Sequence, residues 1–111
     1  MKIKMFPVER MTISGFAKKH GLIMEVHERE GDMIKKCGEG IRFYAEFSRS
    51  EIKDGPILIG TFGDGRTPSE AIKNYATEIS GKLLVINAYN KKERREIYVP
   101  ILSAIEPKDI K

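Results

Sequence analysis

Few residues in this chain carry the chemistry of a catalyst, and none stands in a pattern that assembles one. His20 and His27 are the only histidines, and Cys37 is the only cysteine. They do not recur at metal-ligand spacing, so no metal is expected. No G-x-S-x-G elbow presents a serine to a base. Cys37 would act as a nucleophile only if folding brought a base to it. Glu25, Glu46, Asp64 and Glu70 are single acids scattered along the chain. His20 fits the last turn of a helix, where a cation offsets the dipole. His27 fits the polar face of a strand. The expectation is a protein that binds without catalysis and needs no cofactor.

Residues suited to binding form a better set. Arg42 and Tyr44 alternate on one strand, Phe62 ends another, and Arg94 and Arg95 sit in a basic turn before a last strand. Guanidinium groups match phosphate, and aromatic rings match the faces of bases. Taken singly, each arginine reads better as a solvated surface charge, and it is the combination that raises the binding reading. Gly60, Gly63 and Gly65 precede a helix start, where backbone amides can face an anion. Their spacing is not that of a dinucleotide or P-loop fingerprint. The same glycines also read as a turn shaped to fit the helix. Arg29, beside a loop of mixed charge, is expected to stand outside the site.

These residues must be positioned by local structure, and the clearest of it is the helix after Gly65. Thr67 is a good N-cap, Pro68 suits the first helical position, and Glu70 completes a capping box. Ala71, Ile72, Tyr75, Ala76 and Ile79 form one apolar stripe, and Gly81 stops the helix. A shorter helix is predicted over Thr12–His20, capped by Thr12 or Ser14 and ended by Gly21. Leu22–Glu30 alternates as a half-buried strand, with Glu25, His27 and Arg29 on the polar side. Ile41–Ser48 is a second strand, burying Ile41, Phe43, Ala45 and Phe47. Asp54-Gly55 signals a hairpin turn within 49–56, and Ile57–Phe62 is a third strand. Lys82–Tyr89 is a fourth, apolar enough to be buried on both faces. Glu96–Leu102 is a fifth. The order is α–β–β–β–α–β–β. It predicts a two-layer α+β fold: a mostly antiparallel sheet of about five strands under one long helix.

Length and charge set the bounds. A chain of 111 residues is read as a single domain, 1–111, with 1–11 and 103–111 loosely ordered and 31–40 a loop. A core of that size is modest, so a partner subunit is plausible. The formal net charge is +4. That suits phosphate-bearing partners but is common in soluble proteins generally. No apolar run is long enough for a membrane span, and the lysine-bearing N-terminus lacks a signal-peptide core. The lone cysteine fits a reducing cytoplasm.

Beyond these readings, several runs resemble a known family. They are Arg42-Phe43-Tyr44-Ala45-Glu46-Phe47, Gly60-Thr61-Phe62-Gly63-Asp64-Gly65-Arg66-Thr67-Pro68-Ser69-Glu70-Ala71, Ile79-Ser80-Gly81-Lys82-Leu83-Leu84-Val85, Arg94-Arg95-Glu96-Ile97 and Val99-Pro100. Together they are similar to the first family of Thoeris anti-defence proteins, over about residues 12–102. Those are phage and prophage sponges. They bind cyclic ADP-ribose isomers made by a bacterial TIR-domain defence enzyme and sequester them uncleaved. The resemblance implies a homodimer or larger homo-oligomer, with cyclic oligonucleotides as further ligands. It also implies the bacterial host's cytoplasm, no membrane and no DNA. It points to Arg42 and Arg94 as ligand-binding arginines and to Phe62 as a stacking residue. Three strands followed by Thr67-Pro68-Ser69-Glu70-Ala71-Ile72 are also similar to the antitoxin half of HicA–HicB systems. That family's usual proline-glycine-cysteine turn is missing here. A small RNA-binding module is the third reading, resting on basic charge and aromatics.

Overall fold

The long helix forms where its local signals place it. In a computed structural model of the protein, which describes residues 10–29 and 41–103, Thr67 is extended and its Oγ1 accepts from the Glu70 amide at 3.1 Å. The irregular start predicted for 1–11 lies outside the described residues up to position 9. The 31–40 loop with Cys37 and the tail beyond 103 lie outside them too. The element order is β1 (Arg10–Thr12), α1 (Ile13–His20), β2 (Met24–Glu28), β3 (Phe43–Phe47), β4 (Ser50–Asp54), β5 (Ile57–Ile59), β6 (Gly63–Gly65), α2 (Pro68–Ile79), β7 (Leu83–Ile86), β8 (Arg95–Tyr98) and β9 (Ile101–Ser103). Of the two candidate caps for α1, Thr12 does the work: its Oγ1 accepts from the Gly15 amide at 3.0 Å. Gly21 ends α1 in the left-handed region, at a φ of 65°.

The α+β class stands, with two helices and mostly antiparallel strands among the described residues. The single sheet of about five strands does not. The described strands form an antiparallel sheet in the order β2-β3-β6, a second in the order β5-β4-β7-β8, and a parallel pair of β1 and β9. The run Ile57–Phe62 is therefore not one strand. Its first half pairs with β4, and the chain then crosses to place Gly63–Gly65 beside β3. The stretch 49–56 is more than a turn, because Ser50–Asp54 lies between β5 and β7 in the second sheet. Gly55-Pro56 closes the hairpin to β5, with Gly55 at a φ of 60°. The last run divides at Val99-Pro100 into β8 and β9. Proline has no amide to donate to a ladder, so a break there is unsurprising. The fourth strand is shorter than the predicted Lys82–Tyr89, running over Leu83–Ile86, but its burial is as expected: Leu84, Val85 and Ile86 are buried in succession.

One core joins the sheets. Phe16 of α1, Phe47 of β3, Tyr75 and Ile79 of α2, Leu84 of β7 and Leu102 of β9 belong to the same buried cluster. Phe47 meets Tyr75 edge to face, with ring centroids 5.4 Å apart. The Tyr75 hydroxyl accepts from the Phe47 amide at 3.1 Å and bonds to Ser50 Oγ at 3.2 Å. Ser50 Oγ donates in turn to the Phe47 carbonyl at 2.6 Å. This buried network sits where the chain leaves one sheet for the other. It satisfies backbone groups that no ladder takes up there.

Candidate functional site

Two of the three glycines ahead of α2, Gly63 and Gly65, are spoken for by packing, while Gly60 has open space around it. β6 runs directly under the helix. A Cβ on Gly63 would stand 2.1 Å from the Tyr75 amide nitrogen, and one on Gly65 would stand 2.4 Å from that of Ala71. Only glycine lets strand and helix approach so closely. Of the two sequence readings, a turn and strand shaped to fit the helix is the one this geometry supports. Gly63 and Gly65 lie beneath the helix, not as a cradle before its first turn.

The opposite face of that sheet carries the chemistry. Ala45 and Phe47 point into the core, so Tyr44 and Glu46 point outward. Register sets His27 directly across from Tyr44 on one side and Asp64 across from it on the other. The His27 and Tyr44 rings stack at a centroid distance of 4.8 Å. Phe62 meets Tyr44 edge-on at 5.8 Å and is 46% exposed, which leaves ring surface open to a ligand.

Arg29 lies at the centre of this cluster, which corrects the expectation that it is a bystander. Its guanidinium carbon is 4.7 Å from the Tyr44 ring centroid and 5.8 Å from that of Phe62. Nη2 lies 2.5 Å from Asp64 Oδ1 as an ion pair, and Nη1 donates to the Phe43 carbonyl at 3.4 Å. The Asp64 carbonyl meanwhile accepts from Asn74 of α2. Arg29 is buried, and its charge is matched. It braces the aromatic shelf more than it offers a free cation. The open cation at this end is Arg42, whose Nε is 3.9 Å from Glu28 Oε1 with both side chains about half exposed.

Of the sequence-predicted residues, the fold brings Tyr44 and Phe62 together, with Arg42 just before β3, next but one to Tyr44. Arg94 and Arg95 lie elsewhere. Arg94 precedes β8 and pairs with Glu96 at 2.9 Å. Arg95 opens β8, at the edge of the second sheet, and its Nη2 donates to the His20 carbonyl at 2.7 Å. Sequence reasoning missed His27 and Arg29 as parts of the shelf. Their signal was present in the alternation of β2, but only register puts them beside Tyr44.

His27 is also less isolated than its spacing suggested. Glu25, His27 and Glu46 offer ligand atoms within 4.8 Å of one another. One imidazole and two carboxylates suit a first-row divalent ion. All three are half exposed, and they supply no fourth donor, so the trio carries no assignment. Glu25 and Glu46 face each other across the ladder, which makes that end of the face acidic and the Arg42 end basic. Among the described residues no helix is long and apolar enough to cross a membrane. Comparisons with family models, with curated proteins and with solved structures find no match for this chain.

Proposed function

We propose that this chain is a phage or prophage anti-defence sponge acting in the cytoplasm of the bacterial host. It binds a cyclic signalling nucleotide, a cyclic ADP-ribose isomer or a cyclic oligonucleotide, and sequesters it without cleavage, which blocks host immune signalling. The observation that carries the reading is the pre-organised shelf of His27, Tyr44 and Phe62 braced by Arg29, with Arg42 at its basic end. A base finds an aromatic surface there, and a phosphate finds a guanidinium. The sequence resemblance supplies the class of nucleotide. The face is acidic at Glu25 and Glu46, which disfavours a long nucleic-acid strand running across it and favours one small ligand. Arg94 and Arg95 belong to the other sheet, so a second copy of the chain is the route that would bring them to a shared ligand.

Calorimetric titration against a panel of cyclic ADP-ribose isomers and cyclic oligonucleotides tests this. At least one member should bind, and ligand released by heating should be chemically intact. Arg42→Ala and Phe62→Ala should each weaken binding about tenfold or more, since a charge-assisted bond or a base stack contributes roughly 1–3 kcal/mol. The melting temperature should hardly move. Silence across the panel, or turnover of the nucleotide, would remove the sponge reading. A small ribonuclease or RNA that copurifies instead would favour the antitoxin or RNA-binding alternative.

A further inference from the structure

A second feature lies away from the aromatic shelf, where the chain passes from one sheet to the other. A cavity of about 340 Å³ opens there, lined among others by Leu22, Ser48, Arg49, Asn87 and Arg95. None of its lining residues is acidic. A neighbouring recess of about 370 Å³ shares Arg49 and Asn87 and adds Tyr89 and one carboxylate, Glu51.

Three observations single this notch out. Arg49 and Asn87 are the non-glycine residues with positive φ among those described, at 57° and 54°. They touch each other, the Asn87 amide donating to the Arg49 carbonyl at 3.0 Å. Asparagine tolerates this conformation, but an arginine there is unusual. Strain of this kind collects at ligand sites, where the side chain matters more than the backbone cost. Next, the two guanidiniums differ in state. Arg95 is held by its bond to the His20 carbonyl at 2.7 Å. Arg49 is exposed, and among the described residues its guanidinium makes no hydrogen bond or ion pair. Finally, Tyr89 is 93% exposed, an aromatic ring with almost no partner beside a cationic notch.

We propose that this notch is a binding site for the phosphates of a nucleotide, held between Arg49 and Arg95, with Tyr89 offering its ring to the base. Two guanidiniums in a notch whose own lining has no carboxylate match a diphosphate, Ser48 and Asn87 supply neutral polar groups at the rim, and Glu51 lies on the Tyr89 side, where the base would sit. The site is separate from the shelf around Tyr44, and its existence does not depend on what that shelf binds.

The test is calorimetry at low salt with inorganic pyrophosphate and ADP as probes. Wild-type protein should bind both. Arg49→Gln and Arg95→Gln should each weaken both probes about tenfold or more. Tyr89→Ala should weaken ADP and spare pyrophosphate. Arg42→Gln, on the other sheet, should spare both probes even if it abolishes binding of a cyclic nucleotide. Arg95→Gln also loosens α1, so Arg49→Gln, which removes no side-chain hydrogen bond or ion pair among the described residues, is the decisive variant. Absence of saturable binding by either probe overturns the proposal, as does wild-type affinity in Arg49→Gln. Unchanged ADP affinity in Tyr89→Ala overturns the assignment to a nucleotide.

Discussion

Gly63→Ala tests whether the glycines before α2 serve packing or anion binding. The added methyl would meet the Tyr75 nitrogen at 2.1 Å, the Ala71 carbonyl oxygen at 2.4 Å and the Tyr75 Cα at 2.6 Å. Carbon contacts are comfortable at roughly 3.5–4.0 Å, so helix and strand must separate by about an ångström or more. All three neighbours are backbone, and none can rotate away. Separation would loosen the seat of Ala71, Tyr75, Ala76 and Ile79, the buried stripe of the helix. Overpacking of this kind costs about 1–3 kcal/mol, and a clash with rigid backbone belongs at the upper end, about 3 kcal/mol. Near this chain length each kcal/mol shifts the melting temperature by roughly 4 °C, so a fall of about 12 °C is expected. Thermal unfolding followed by circular dichroism reads it directly. Gly60→Ala is the control: nothing lies within 4 Å of its added methyl. That change should be neutral or stabilise by up to about 1 kcal/mol through the unfolded chain. A Gly63→Ala melt that overlays wild type would refute the packing argument. Lost ligand binding at unchanged stability would restore the anion cradle.

Tyr75→Phe should cost about 1–3 kcal/mol in urea unfolding, because the buried Phe47 amide loses its acceptor. Burial pushes the Tyr75 phenol above its ordinary value of 10.0, so the folded state keeps a proton that the unfolded chain releases. That contribution is intact below pH 10.0 and is lost as pH rises through the folded value. The deficit of Tyr75→Phe relative to wild type should therefore narrow in strong alkali, and a constant deficit would count against the buried phenol. Thr67→Ala should destabilise by about 1 kcal/mol and Thr67→Ser by much less, since only the cap oxygen matters. Equal melts for the two variants would show that the cap contributes nothing.

Local chemistry made much of this protein legible from its sequence. Thr67, Pro68 and Glu70 specify the start of α2 through bonds within one turn, and Thr12 and Gly21 bracket α1 in the same way. Period-two alternation assigned Ala45 and Phe47 to the core and Tyr44 to the outer face, and the aliphatic run of β7 implied burial on both sides. These signals act between residues a few positions apart, so any correct fold must honour them. Strand partnership is different. Ile57–Ile59 and Gly63–Gly65 read as one strand because the extended backbone looks the same whichever ladder it joins. β4 was hidden because Ser50-Glu51-Ile52-Lys53 has a single apolar residue, and its place comes from bonds to β7 thirty or more positions away. Glycine tolerates both a cradle and a close crossing, and only the position of α2 over Gly63 and Gly65 decides between them. The binding face followed the same logic. Arg42, Tyr44 and Phe62 could be named from residue type, whereas Arg29 and His27 joined them, and Arg94 and Arg95 left them, through long-range register that no local energy encodes.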